Sequence, residues 1–143
     1  MRHYAVLDTN VLVSALLSKY SVPARILDEA LNGSIVPLFD YAILTEYEDV
    51  LHRTKFPFKE SEIRAMIDTI KARGIHIDAG AVDVVMPDPD DVIFYAVVME
   101  KRKEDDAYLV TGNQRHFPKE PFIVTPTEML SIIEGGRDKA EST

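Results

Sequence analysis

Strand-like and helix-like runs alternate along this sequence, and the alternation predicts an α/β protein with a mostly parallel central sheet covered by helices on both faces. Two further observations agree with it. The 143 residues, 46% of them hydrophobic, suit one compact core. Acid and amide residues also recur just beyond the strand-like runs, where open α/β sheets gather their ligands.

The elements follow in order. His3 to Leu7 is a short apolar run ending at Asp8-Thr9-Asn10, and the periodic stretch from Val11 to Leu17 reads as a helix. Pro23 suits the first turn of a second helix with Ala24, Leu27, Ala30 and Leu31 on one face, ended by Asn32-Gly33. Ser34 to Phe39 is a buried strand in which Pro37 argues for an end or edge position. Asp40 caps a helix to about His52, and Glu60 to Arg73 forms another. Ile75 to Ile77 and Val82 to Met86 read as strands, and the turn Pro87-Asp88-Pro89-Asp90 opens a helix from Asp91 to about Lys101. Ala107 to Val110 and Phe122 to Val124 are the last strands; Thr125-Pro126 starts a final helix through Ile133. Residues 1–134 form one domain, and 135–143 a flexible C-terminal tail.

Composition excludes several chemistries. With no cysteine there can be no disulfide, thiolate zinc site or thiol nucleophile, so any metal must use oxygen or imidazole ligands. No apolar run approaches the roughly 20 residues needed to span a bilayer, and the start lacks a signal-peptide layout. A soluble, cytoplasmic protein with no membrane partner is the expectation. The net charge of −8 is adverse to phosphate binding, but residues 60–143 carry 17 acidic against 10 basic groups while residues 1–59 are nearly balanced. Part of the excess is the Asp88, Asp90, Asp91 group, which a bound dication would neutralise.

Four residues are candidates for one pocket. Asp8 follows the first strand, Asp91 the Val82–Met86 run, and Asn113 the Ala107–Val110 strand, while Glu46 lies on an otherwise apolar stretch of helix that turns it inward. Carboxylates about 4 Å apart repel by roughly 4 kcal/mol at an effective dielectric of 20, so pKa values rise or a cation enters. Hard oxygen donors favour Mg²⁺ or Mn²⁺, which activate water toward a phosphodiester. Each residue also has a plainer reading: Asp8 as a helix cap, Glu46 as a solvated helix residue, Asp91 as cap or ligand, and Asp88 and Asp90 as turn residues. His3, His52, His76 and His116 show no ligand spacing and read as structural or surface residues, and Lys101-Arg102-Lys103 as a basic helix end matched to the helix dipole.

Taken together these motifs resemble the PIN-domain family, and within it the VapC-like toxin ribonucleases. Leu7-Asp8-Thr9-Asn10-Val11-Leu12-Val13-Ser14 is similar to the family's opening strand and first acid; Thr45-Glu46 with Val50-Leu51 and Arg53, to the segment that supplies a Glu. Asp88-Pro89-Asp90-Asp91 before Val92-Ile93-Phe94-Tyr95-Ala96 resembles the segment of the third acid, and Leu109-Val110-Thr111-Gly112-Asn113 with Arg115-His116-Phe117 the last motif. The resemblance spans Tyr4 to about Ile133. It implies a three-layer α/β/α sandwich, an Mg²⁺- or Mn²⁺-dependent endoribonuclease acting through Asp8, Glu46, Asp91 and Asn113, an RNA substrate, a homodimer and an antitoxin partner. Asn113 stands where the family often has Asp, which removes one charge from the site.

Two other functions are weighed. A haloacid-dehalogenase-like phosphohydrolase needs a second Asp two residues after the first, and Asn10 is there instead. A catalytically degenerate PIN domain that only binds RNA or protein would tolerate Asn113 and the acid excess.

Overall fold

The computed structural model describes residues 2–141. Strand β1 (His3–Leu7) is followed by α1 (Thr9–Leu17) and α2 (Val22–Asn32), and β2 (Ile35–Phe39) by α3 (Tyr41–Leu51) and α4 (Glu60–Arg73). After β3 (Ile75–His76) come a 3-10 turn (Pro89–Asp91) and α5 (Val92–Lys101); after β4 (Ala107–Val110), a second 3-10 turn (Gln114–His116). β5 (Ile123–Val124) leads into α6 (Pro126–Glu141).

The strands form one five-stranded sheet in the order β3-β2-β1-β4-β5, and every pairing is parallel. From β1 to β3 the chain steps one way, and at β4 it returns to the other side of β1. Because parallel crossovers are right-handed, the reversal sends α5 to the face opposite α2 and α4. Accordingly α5 packs on β1, β2 and β4, while α2 packs on β2 and touches α1, α4 and α6. This is the expected layered α/β/α architecture. The gap where strand order reverses, between the carboxyl ends of β1 and β4, is where such sheets bind ligands. All five residues of β2 are buried, as a strand covered on both faces requires.

Helix boundaries follow local chemistry. Ser21 accepts from the Ala24 amide with Pro23 in the first turn of α2, and Gly33 closes that helix with a φ of 91° that a Cβ would strain. Asp40 caps α3 through the Ala42 amide at 2.8 Å.

Three expectations are corrected. Val82–Met86 is not a strand and pairs with none of the sheet's strands among the described residues: β2 and β4 already occupy both sides of β1, so no sheet position between them is open to it. Pro37 is neither terminal nor on an edge strand; it lies inside β2, opposite Ala5. Its missing N–H is tolerated because pairing with β3 begins only at Leu38, leaving no ladder bond to lose there. The last helix does not stop at Ile133 but continues through Gly135 and Gly136 to Glu141, anchored by buried Met129, Leu130 and Ile133. Met1 and tail residues 142 and 143 lie outside the described residues.

Gly74 joins α4 to β3 where two backbones nearly touch. A Cβ there would overlap the Pro37 carbonyl oxygen and lie 2.5 Å from that of Ile70, whereas one on Gly80 meets nothing within 4 Å. Gly74→Ala should therefore cost about 1–3 kcal/mol, and Gly80→Ala should be neutral or slightly stabilising. Urea denaturation of both variants checks this, and equal midpoints would contradict the close approach.

Candidate functional site

Asp8 sits at the end of the middle strand with 7% of its surface exposed. Its amide bonds the Val110 carbonyl at 2.9 Å, extending the β1–β4 ladder by one residue. One carboxylate oxygen accepts from the Thr9 amide at 2.8 Å, capping α1, and the other from the fully buried Thr111 hydroxyl at 2.7 Å. The cap reading and the pocket reading are thus both met by one side chain. Each carboxylate oxygen has two lone pairs, so both keep accepting capacity. Burial pushes the Asp8 pKa up; the Thr111 and Thr9 hydrogen bonds and His116 oppose the shift, and Asp88 adds to it.

Glu46 is positioned by its neighbour. The buried Tyr47 hydroxyl donates to the Leu7 carbonyl, and its ring meets Phe94 at 6.1 Å, which locks α3 against the end of β1 and against α5. Burial, with the charge on Asp8, drives the Tyr47 pKa upward, so the phenol stays neutral and donating. Glu46 is consequently partly buried and turned toward the acids, and its pKa is raised by burial first and then by Asp90, against the pull of Arg53.

The third acid comes from the turn before α5. Asp88 accepts from the Asp90 amide at 2.9 Å, and the Asp91 amide bonds the Asp88 carbonyl at 3.1 Å. Asp91 stands at the N-cap of α5, yet its side chain makes no capping hydrogen bond, which frees it for the site. Burial, followed by the charges of Asp8 and Asp88, pushes its pKa up to about 6, with His116 opposing. The imidazole Nδ1 of His116 is 3.7 Å from an Asp91 oxygen.

Asp91 therefore feels the charges of Asp8, Asp88, His116 and Glu46, and Asp88 acts on both Asp8 and Glu46, whereas Asp8 and Glu46 are not among each other's principal charged neighbours. Asn113 stands apart. Its amide donates to the Thr111 hydroxyl at 3.0 Å, but its exposed side chain makes no hydrogen bond to the acids and borders a cleft with Asn10, Ser14 and Pro126. Sequence reasoning passed over His116, read as structural or surface, and Thr111, although both lie within the last motif. It read Asp88 only as a turn residue; Asp88 does cap the turn, and it also adds its charge to the cluster. The donors here are oxygens, and their pKa values are raised by burial first and by neighbouring carboxylates second; among the described residues, the acid and histidine group whose ligand atoms come within 4.8 Å of one another is a different one, Asp40, His76 and Asp78. Asn10, where a dehalogenase-like enzyme would need its second acid, instead accepts the Gly112 amide at 3.3 Å.

Comparison with known proteins adds three findings. No curated protein matches the chain by sequence. In structure it is similar to a chain of VapBC2 from Rickettsia felis, solved bound to a DNA fragment from their promoter, with a TM-score of 0.52 and 17% identity over 85% of this chain and 96% of that one. A family model described as PIN domain matches residues 4–115, which include Asp8, Glu46, Asp91 and Asn113. The chain belongs to the PIN domain family.

Proposed function

We propose that the chain is a Mg²⁺- or Mn²⁺-dependent endoribonuclease acting as the toxin of a toxin–antitoxin pair. The observation that supports this reading is that Asp91, beside the sheet's reversal point, lies within electrostatic reach of both Asp8 and Glu46 and has its pKa pushed up to about 6 by burial and by its neighbours' charges. An oxygen-only donor set suits a hard dication rather than zinc or copper. Bound there, the ion supplies an activated water and neutralises charge on the phosphodiester. The chain's own residues do the placing: Thr9 and Thr111 fix the Asp8 carboxylate, Tyr47 sets the depth of Glu46, and the uncapped Asp91 faces both. Asn113 is proposed as a fourth, uncharged ligand, through its carbonyl oxygen or a held water. Arg115 and Lys119, which line a neighbouring cavity of about 540 Å³, supply positive charge for phosphate.

The toxin role, and an antitoxin protein as partner, rest on family membership and on likeness in fold to VapBC2. The exposed apolar side chains of Leu17, Tyr20 and Leu31 support a homodimer. Among the described residues no helix is long and apolar enough to cross a membrane, which is compatible with the proposed cytoplasmic location. A binding-only PIN domain is the alternative, and it would retain RNA in the assay below without cutting it.

Asp8→Asn should lower Mg²⁺-dependent RNA cleavage at least a hundredfold while the protein stays folded. Its metal-free form should melt higher than wild type, because a buried charge has been removed. Since water is the nucleophile, fragments from the wild type should carry 5′-phosphate and 3′-hydroxyl ends. Gel assays with mass spectrometry decide both, and full activity in Asp8→Asn would refute the metal reading.

The raised pKa of Asp91 fixes a pH dependence. Its folded value of about 6 exceeds the ordinary 3.8, so the folded state holds this proton more tightly than the unfolded chain. Metal-free stability should therefore fall as pH rises from about 4 to about 6 and then level off. Asp91→Asn should flatten that fall. Urea titrations in EDTA across this range measure it.

Asn113→Asp should bind Mn²⁺ severalfold more tightly and destabilise the metal-free protein, if residue 113 reaches the ion. Calorimetric titrations giving equal affinities would leave Asp8, Glu46 and Asp91 as the whole ligand set.

A further inference from the structure

We propose that the chain carries a second metal site, for a divalent transition metal such as Zn²⁺, formed by Asp40, His76 and Asp78 at the carboxyl ends of β2 and β3. One ligand atom from each of the three lies within 4.8 Å of the others. The donors are prepared in different ways. Asp40 commits one oxygen to the Ala42 amide as the cap of α3, leaving its second oxygen without a partner among the described residues. The His76 ring belongs to a three-ring cluster, stacked on Phe39 with centroids 5.7 Å apart and tilted against Tyr41 at 4.5 Å, while Phe39 and Tyr41 meet edge-on at 6.4 Å. Its Nε2 lies 3.4 Å from an Asp78 carboxylate oxygen.

The Nε2 to Asp78 oxygen distance is the second observation. At 3.4 Å it is longer than a charge-assisted hydrogen bond, which closes to about 2.7–2.9 Å. It matches the edge of a tetrahedron whose metal–ligand bonds are about 2.0–2.1 Å, an edge of about 3.3–3.4 Å. The Asp78 side chain is 93% exposed, and no other described residue accounts for its orientation. An imidazole beside two carboxylates favours a transition metal over Mg²⁺, in contrast to the oxygen-only set around Asp8. The two sites are separate: none of these three residues is among the principal charged neighbours of Asp8, Glu46 or Asp91. An ion here would tie the cap of α3 to β3, an edge strand of only two residues, and to the start of the unpaired segment that leads to Asp88.

The test is a ZnCl₂ titration of the full chain, native and with Asp91→Asn, followed by NMR of the histidine ring protons and by calorimetry. Zn²⁺ should shift the His76 resonances at micromolar concentration in both proteins and raise the melting temperature of each by mass action. His76→Gln should weaken this event at least tenfold. Asp78→Asn, at a residue too exposed to affect folding, should do the same. MgCl₂ at the same concentrations should leave His76 unmoved. Shifts confined to His52 or His116, or unchanged affinity in both His76→Gln and Asp78→Asn, would overturn the proposal.

Discussion

Burying an ionised carboxylate is costly, and Asp8 lies almost entirely inside the protein at the end of its middle strand. The cost is offset in part by two hydrogen bonds, from the Thr9 amide beside it and from the Thr111 hydroxyl 103 positions away. The second exists only because β1 and β4 pair in parallel with Leu7 opposite Val110, so that the next residue of each strand falls side by side. Asp91 and Asp88 then approach a charge that is already poorly solvated, and the Asp91 pKa is raised by its own burial first and by the charges of Asp8 and Asp88 second. Keeping Asp91 ionised in the folded protein is therefore costly.

The acids reach that point because the segment after β3 is not a strand. A paired strand from Val82 to Met86 would have to extend a sheet edge and deliver Asp88 and Asp91 away from Asp8. Left unpaired, the segment crosses back over the sheet, buries Met86, and starts α5 with its N-terminus toward Asp8. That helix end carries partial positive charge, which favours the Asp91 carboxylate there.

Charge elsewhere is largely committed to structure. Lys101 pairs with Asp105 at 2.9 Å and lies over the Tyr4 ring, Arg102 donates to the Ala107 carbonyl and stacks on Phe122, and Lys103 pairs with Glu100. Lys101 and Arg102 thus tie the end of α5 to β1, to the start of β4 and to the residue before β5, while Lys103 pairs back onto α5 itself. Arg115 and Lys119 instead line a cavity with Gln114, Phe117 and Glu120.

The sequence by itself determined the order and type of the elements, because local periodicity, caps such as Ser21 and Asp40, and breakers such as Gly33 act over a few residues. It also singled out Asp8, Glu46 and Asp91 as candidates, since acids at strand ends or on an apolar helix face contradict their surroundings and so stand out. It could not show that Val82–Met86 goes unpaired or that Pro37 sits within an interior strand, because strand pairing depends on which partners are already taken. His116 and Thr111 were equally hidden as partners of the acids. Only the tertiary structure, by reversing strand order between β1 and β4, decided that they meet Asp91 and Asp8, and that His76 comes to lie between Asp40 and Asp78. Contacts across such distances are set by the whole sheet, and no short stretch of sequence encodes them.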